Sequence, residues 1–121
     1  MTKAIVCGGR GFVPSGTHRR LLGSLFSELE IREVVHGGAD GADSFGRDAA
    51  LIRMIPVHAF PADWAMHGKA AGPIRNRAMA EYVSDNGGGY CIAFPGGRGT
   101  ANMVAEAIGR GLSIIDLRKM L

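Results

Sequence analysis

Three glycine-rich turns contain the residues that could hold an anion. Their sequences are GGRGF (8–12), HGGADGAD (36–43) and PGGRGT (95–100). Glycine lets backbone N–H groups approach an anion closely, and a helix that begins behind such a turn adds its own unpaired N–H groups and its dipole. One such turn could be an ordinary corner, because glycine also serves plain turns. The three together predict a site for phosphate or a similar anion.

Charged side chains accompany these turns. Arg10 and Arg98 lie within the first and third turns, where each could close over an anion or remain in solvent. Arg75 falls in the first turn of a predicted helix, where its charge opposes the helix dipole unless an anion binds there. Asp40 and Asp43 have the spacing of a helix N-cap and its reciprocal partner. We expect Asp40 to be the N-cap, and Asp43 to complete the cap or to contact a ribose hydroxyl.

Three further residues are candidates for contacts with a base or a ribose: His36, Asp63 and Trp64. His36 could instead be a core histidine, and Trp64 could plug the core. Lys69 lies in a long predicted loop over 61–73 and could close over a phosphate or remain solvated. The histidines and acids show no metal-ligand spacing, so we expect no metal, and no cofactor besides the ligand itself.

Two common nucleotide motifs do not fit. The GGRGF turn is followed by Pro14 and Ser15 rather than directly by a helix, and no acidic residue ends the second predicted strand. These departures disfavour an ordinary NAD dehydrogenase. The pattern GxxxxGK[ST] of P-loop proteins does not occur either.

The elements that must position these turns alternate between strand and helix. Apolar runs predict strands over 3–9, 32–38, 55–60, 89–94 and 112–117, and helical spacing predicts helices over 17–30, 40–53, 72–83 and 100–111. This alternation predicts an α/β fold, a Rossmann-like, open and mostly parallel five-stranded sheet with helices on both faces. The carboxyl ends of its strands share one edge, which would bring the three turns together. One domain over 1–121 is expected.

Composition is consistent with a small globular protein. The chain has 121 residues, 46% of them hydrophobic, and a formal net charge of +3, which suits an anionic ligand. No apolar run approaches the roughly 20 residues that span a bilayer, so we expect a cytoplasmic protein without a membrane partner. Cys7 and Cys91 are expected to be buried free thiols. An apolar stripe of Met79, Tyr82 and Val83 predicts either core packing or the interface of a homo-oligomer, a dimer or higher.

Four segments, in order along the chain, resemble the SLOG superfamily and specifically its small YspA-like branch. They are VVHGGADGAD (34–43), FPADW (60–64), HGKAAGPIRNRAM (67–79) and AFPGGRGTANM (93–103). The superfamily includes the LOG phosphoribohydrolases, the DNA-processing protein DprA and sensors of nucleotide signals. The resemblance implies a Rossmann-like fold and a ligand that carries phosphate and ribose, but it implies no single activity.

The same resemblance implies which residues bind the ligand. PGGRGT resembles the LOG phosphate loop, and RNRAM resembles the segment with the ligand-facing arginine, with Asn76 in place of a lysine. The expected ligand- and phosphate-binding residues are Gly8, Gly9, Arg10, Gly37, Gly38, Asp43, Arg75, Asn76, Pro95, Gly96, Gly97, Arg98, Gly99 and Thr100. LOG enzymes continue with a glutamate pair, whereas this chain has Asn102 and Met103 at those positions. Loss of both acids speaks against hydrolysis.

The first functional hypothesis is therefore a binding protein for a nucleotide-derived ligand such as an ADP-ribose-like or cyclic signal or a nucleoside monophosphate. It would serve sensing or sequestration, and the family context suggests a phage sponge of NAD-derived immune signals as one form. The alternative is a phosphoribohydrolase or N-glycosidase acting on nucleoside 5′-monophosphates, in which Asp40, Asp43 or Asp63 replaces the missing acids. Single-stranded DNA binding ranks third, because aromatic residues make up only 7% of the chain and the charge is modest.

Overall fold

The computed structural model describes residues 2–120, which fold around one five-stranded sheet. The strands are β1 Lys3–Cys7, β2 Glu33–His36, β3 Val57–Ala59, β4 Gly89–Ala93 and β5 Ser113–Asp116. The helices are α1 Gly16–Glu28, α2 Ala42–Ile52, α3 Trp64–His67, α4 Ala71–Asp85 and α5 Arg98–Gly109, with a 3₁₀ turn at Gly68–Ala70.

The order of the strands determines where a ligand can bind. The sheet runs β3-β2-β1-β4-β5, and every strand pair is parallel. This confirms the predicted Rossmann-like fold. The chain builds outward from β1 to β3, then crosses back and continues from β4 on the other side of β1. Such a reversal leaves a crevice at the carboxyl ends of the two strands that flank it, β1 and β4.

The two faces of the sheet each have a hydrophobic core. Ala4 and Val6 of β1 pack with Leu22, Phe45 and Phe94 on the face that α1 and α2 cover. Side chains alternate along a strand, so Ile5 and Cys7 point to the other face, which α4 and α5 cover. Burial on both faces explains why β1 is continuously apolar from Ala4 to Cys7 rather than alternating.

The start of α2 differs from the sequence prediction. The predicted N-cap is Asp40, but the N-cap in the structure is Gly41, with a φ of 73° and no side-chain cap, and Asp40 is exposed in the turn before it. A Cβ on Gly41 would overlap the Gly9 carbonyl and lie 2.5 Å from the Arg10 carbonyl. The close approach of the β1 turn therefore fixes a glycine here and moves the helix start by one residue.

Two other boundaries also differ. The loop predicted over 61–73 is mostly helical, because it contains α3, the 3₁₀ turn and the first residues of α4. Asp63 caps α3, with its carboxylate accepting the N–H of Met66 at 3.0 Å. Helix α5 begins at Arg98, two residues before the predicted start, so Arg98 and Gly99 lie in its first turn rather than in a loop.

The apolar stripe of α4 proves to be core packing. Met79 and Val83 are buried against the β1–β4 face of the sheet. Tyr82 is half-buried, and its hydroxyl donates a hydrogen bond of 2.6 Å to Glu33. These buried side chains cannot form the interface of a homo-oligomer. The homo-oligomer itself stays a prediction. Among residues 2–120, no helix has the length and apolarity needed to cross a bilayer.

This assignment predicts a difference between two apolar residues on α4. Met79→Ala removes a side chain that is 2% exposed, so it should lower the free energy of unfolding by about 2–5 kcal/mol. Ile74→Ala, at a position that is 47% exposed, is the matched control and should change it by no more than about 0.5 kcal/mol. Urea denaturation of both variants measures the difference. Equal losses would mean that α4 packs on another face.

Candidate functional site

A cavity of about 520 Å³ opens at the carboxyl ends of β1 and β4, at the reversal of the sheet. Its lining comes from the end of β1, from the turns after β1, β2 and β4, from the start of α2, from the segment that includes α3, and from the N-terminal halves of α4 and α5. The lining residues are Cys7, Gly8, Gly9, Arg10, Ala39, Asp43, Trp64, Lys69, Gly72, Pro73, Arg75, Asn76, Met79, Gly97, Arg98, Gly99, Thr100, Asn102 and Met103.

The turns after β1 and β4 lie directly against each other in the cavity floor. The N–H of Gly9 donates to the carbonyl of Pro95 at 2.8 Å. A Cβ on Gly96 would lie 2.7 Å from the Gly9 nitrogen and overlap the Thr100 hydroxyl. Gly96 is thus required for close packing and not for an unusual dihedral angle. This contact sets the two turns side by side beneath the ligand space.

The N-terminus of α5 faces the cavity with unpaired donors. Residues 97–100 line the cavity, and the first intrahelical bond runs from Ala101 N–H to the Gly97 carbonyl at 3.1 Å. Within residues 2–120, the amides of Arg98, Gly99 and Thr100 have no acceptor. Unpaired N–H groups at a helix N-terminus, together with the helix dipole, form a ready site for an anion.

Positive charge dominates the cavity lining. Four of its residues are cationic, namely Arg10, Lys69, Arg75 and Arg98, whereas Asp43 supplies its one carboxylate. The Arg10 guanidinium lies 6.0 Å from the centre of the half-exposed Trp64 ring, at the range of a cation–π contact. The cavity therefore favours an anionic ligand, and an aromatic ring and a guanidinium stand together in its wall.

A polar network ties the β2 turn to α4 and α5. Arg75 donates from Nη1 to the Gly37 carbonyl at 2.6 Å and from Nε to the Asn76 side-chain oxygen at 2.9 Å. Asn76 in turn donates from Nδ2 to the Gly99 carbonyl at 3.2 Å and to the Asn102 side-chain oxygen at 2.9 Å. The buried Asn76 amide thus links the arginine to the first turn of α5.

Arg75 lies one residue further along its helix than the sequence predicted. Helix α4 begins at Ala71, which puts Arg75 in the second turn and removes the argument from an opposing dipole. Burial lowers the pKa of Arg75, whereas the nearby Asp43 carboxylate raises it in part. Its guanidinium is held in place by the carbonyls of Gly37 and Phe60 and by the side chain of Asn76.

Asp43 is a buried carboxylate that the β2 turn surrounds. Its Oδ2 accepts the N–H groups of Gly37 at 3.1 Å and Ala39 at 3.2 Å. Burial raises the pKa of Asp43, and the hydrogen bonds together with the positive charge of Arg75 offset part of that rise. Both of these hydrogen bonds end on Oδ2, which leaves Oδ1 available to a ligand.

Several predicted site residues do not line the cavity. They are Gly37, Gly38, Pro95, Gly96, His36 and Asp63. The backbone of Gly37 donates its N–H to Asp43 and accepts from Arg75 on its carbonyl, and Pro95 and Gly96 support the floor from below. The buried His36 accepts the Gly38 N–H on Nδ1 at 3.0 Å, and burial lowers its pKa. These residues shape the turns behind the cavity wall.

Other lining residues are not among the predicted binding residues: Cys7, Ala39, Lys69, Gly72, Pro73, Met79, Asn102 and Met103. Lys69, which the sequence offers as a residue that could close over a phosphate, lies in the cavity wall. Gly72 and Pro73 belong to a segment on which the family resemblance depends, so that resemblance was a usable signal for them. Met79 and Met103 are also core residues. No local sequence pattern distinguishes a core residue that reaches the cavity from one that does not, so these two could not have been predicted.

The buried Asp43 predicts a specific pH dependence of stability. An unfolded aspartate titrates near pH 3.9. Because the folded pKa is raised, the folded protein binds more protons between that value and the folded pKa. The contribution of Asp43 to stability should therefore be greatest below the unfolded pKa and fall as the pH rises through the folded pKa.

The measurement compares urea denaturation of the wild type and the Asp43→Asn variant over this pH range, since asparagine keeps an oxygen for the two N–H groups. The stability of the wild type relative to the variant should decline as the pH rises from about 4 towards neutrality. A relative stability that is flat or that increases with pH would contradict the burial of this carboxylate.

Comparison with known proteins connects this site to a family. A family model described as YspA, cpYpsA-related SLOG family matches residues 2–67. The Gene 61 protein of Mycobacterium phage D29 is 41% identical over 90 residues, and the match covers 69% of this chain and 69% of that protein.

Two solved structures share the fold. The X-ray structure of TM1055 has a TM-score of 0.70 at 17% identity and covers 94% of this chain and 72% of that one. The structure of DNA processing protein A (DprA) from Streptococcus pneumoniae has a TM-score of 0.68 at 18% identity. It covers 95% of this chain and 49% of that one, so this chain spans about half of the DprA length. The family model matches more than half of the chain, and the phage protein is 41% identical over 69% of it: the chain belongs to the YspA, cpYpsA-related SLOG family.

Proposed function

We propose that this protein binds a nucleotide-derived ligand carrying phosphate and ribose, and that it serves to sense or sequester that ligand. One observation carries the proposal: the unpaired N–H groups at the start of α5 face a cavity that Gly9 and Gly97 also line. Backbone donors and a helix dipole aimed at one point suit a phosphate group better than a neutral ligand. Membership in the SLOG family points in the same direction.

The charges around the helix terminus support a phosphate there. Arg98 is the first residue of α5, and Arg75 is linked to Gly99 through Asn76. A phosphate seated at the terminus would add charge-assisted hydrogen bonds, which are stronger than those between neutral groups. Thr100 would contribute its hydroxyl from the first turn. Cationic side chains around it would offset the negative charge that the ligand brings into a partly buried site.

Another part of the lining, formed by Asp43, Trp64 and Arg10, suits a ribose and a base. Both backbone hydrogen bonds to Asp43 end on Oδ2, and its other carboxylate oxygen is a good acceptor for ribose hydroxyls. Trp64 is half-exposed at the cavity, and the guanidinium of Arg10 lies near its ring. A flat base could stack on the indole or beneath the guanidinium. The proposed orientation therefore puts phosphate at α5 and the base near α3.

Binding of the ligand is favoured over its cleavage because Asn102 and Met103, near the start of α5, have no carboxylate. Asn102 is an amide that accepts a hydrogen bond from Asn76, and Met103 is a buried thioether. Neither group can take up a proton at neutral pH or stabilise a cation-like sugar with a negative charge. Asp40 and Asp63, the possible substitutes from other turns, are not among the lining residues.

A second candidate is a phosphoribohydrolase, and the position of Asp43 is the observation that favours it. Asp43 lines the cavity, and its pKa is raised by burial, as is common for carboxylates that act in catalysis. In that case the protein would release the base from a nucleoside 5′-monophosphate. Asp43→Asn should then abolish base release and retain part of the binding. Nucleic-acid binding, by likeness to the DNA processing protein, stays third.

Calorimetric titration with AMP and ADP-ribose tests the binding proposal, with adenosine as the ligand that lacks phosphate. Adenosine should bind more weakly than AMP by about a hundredfold, since it makes none of the charge-assisted contacts. Arg98→Ala should weaken AMP binding about ten- to a hundredfold. Arg110→Ala, at the other end of α5, removes the same charge and should leave affinity unchanged.

Two results would contradict this assignment. Equal affinity for adenosine and AMP would show that the α5 terminus does not hold a phosphate. Equal losses in the two arginine variants would mean that only net charge matters. Chromatography of the AMP incubations distinguishes the two candidate functions: intact AMP supports a binding protein, whereas free adenine that disappears with Asp43→Asn supports the enzyme.

A further inference from the structure

A second concave surface lies on the opposite side of the β1 turn, between the start of α1 and the outer face of α2. This groove has a volume of about 450 Å³. Its lining residues are Phe12, Val13, Pro14, Arg19, Gly41, Ser44, Phe45, Asp48, Ala49, Ile52 and Arg53. Most of them are apolar, and none of them belongs to the lining of the ligand cavity.

The groove continues into exposed apolar side chains. Val13 and Ile52, which line it, are 81% and 79% exposed. Leu51 and Met54, which flank Ile52 at the end of α2, are also exposed, Met54 to 91%. Isolated apolar residues are common on surfaces, but several around one groove mark an interaction site. Leu51 and Met54 lie outside the groove lining, so only an occupant that extends beyond the groove would cover them as well.

Two arginines on this surface have no acidic partner. The Arg19 guanidinium lies 6.0 Å from the centre of the Phe45 ring, and Arg53 donates to the Ala49 carbonyl at 3.0 Å. Neither has a carboxylate within ion-pair distance among residues 2–120. The acid of the groove, Asp48, is paired with Arg47 at 3.1 Å. The groove therefore offers an apolar surface beside two positive charges that are not neutralised.

We propose that this groove docks a segment of another protein that carries acidic side chains next to apolar ones. The apolar residues of the partner would cover Val13, Phe45 and Ile52, and its carboxylates would pair with Arg19 and Arg53. A second copy of this chain is disfavoured, because a symmetric contact would bring the arginines of the two copies towards each other. The exposed aliphatic surface disfavours a nucleic acid, which would pair with arginines but leave Ile52 and Met54 uncovered.

The docking site would give the nucleotide-binding domain a means of contacting an effector, but it does not depend on the nucleotide. Phe12 lines the groove and Arg10 lines the ligand cavity, and both belong to the turn that follows β1. The groove is tested on the protein without nucleotide. If no peptide binds there, the proposed ligand site is unaffected, and if no nucleotide binds at the ligand site, the docking proposal is unaffected.

The probe is a helical peptide of leucine and glutamate, with leucine at i, i+3, i+4 and i+7, and the control peptide has lysine at every glutamate position. Titration is followed by ¹⁵N amide shifts of the labelled protein. The glutamate peptide should give saturable shifts at Val13, Ser44, Ala49 and Ile52, and the lysine peptide should not. The amides of residues 97–100 should not move with either peptide.

Two pairs of variants test the contacts. Arg19→Glu should weaken binding of the glutamate peptide by about tenfold or more, whereas Arg20→Glu, the next residue on α1 and outside the groove, should not. Ile52→Ser should weaken it similarly, whereas Ile108→Ser, at an isoleucine of α5 that is also exposed, to 61%, should not. All four positions are exposed, so folding is expected to survive each change.

Four outcomes would overturn the proposal. They are the absence of groove shifts with the glutamate peptide, equal binding of the lysine peptide, groove shifts with oligothymidylate that exceed those with the peptide, and line broadening at Ile52 that grows with protein concentration alone. The third would assign the groove to a nucleic acid, and the fourth to a second copy of the chain.

Discussion

The site depends on the contact between the turns that follow β1 and β4. These strands are neighbours at the reversal of the sheet, and their turns approach so closely that Gly9 donates to Pro95 while Gly96 lies against the Gly9 backbone. A side chain on Gly96 would force the turns apart. Because the two turns remain together, the start of α5 lies beside the turn that follows β1. The cavity is the space above that contact.

Polar groups around the cavity hold two of its charges, those of Arg75 and Asp43, at fixed positions. The Gly37 carbonyl accepts a hydrogen bond from Arg75, and the Gly37 N–H donates one to Asp43, so a single residue orients a cation and an anion. Asn76 connects this hydrogen-bond network to α5 by donating to the Gly99 carbonyl. Charges that are fixed before a ligand arrives need little reorganisation when it binds. A preformed cationic cavity of this kind suits a protein whose task is to capture an anion.

Sequence reasoning predicted the fold and the edge of the sheet at which the cavity opens, because both follow from patterns along the chain. Apolar runs, alternating elements and glycine turns define a parallel sheet and its ligand edge. Prediction from the sequence failed where a contact between residues distant in sequence determines the local structure. Gly41 replaced Asp40 as the N-cap because the β1 turn packs against it, which no local pattern reveals. Likewise, only the packing of α4 shows that Met79 is both core and cavity wall.

The central claim is that the N-terminus of α5 holds a phosphate, and amide shifts on titration with AMP test it most directly. The account predicts that the amides of Gly9 and of residues 97–100 shift together and saturate at one affinity. Trp64 should report the base through its indole N–H. Saturable binding that leaves the amides of residues 97–100 unmoved would contradict the account, since AMP would then occupy another part of the molecule.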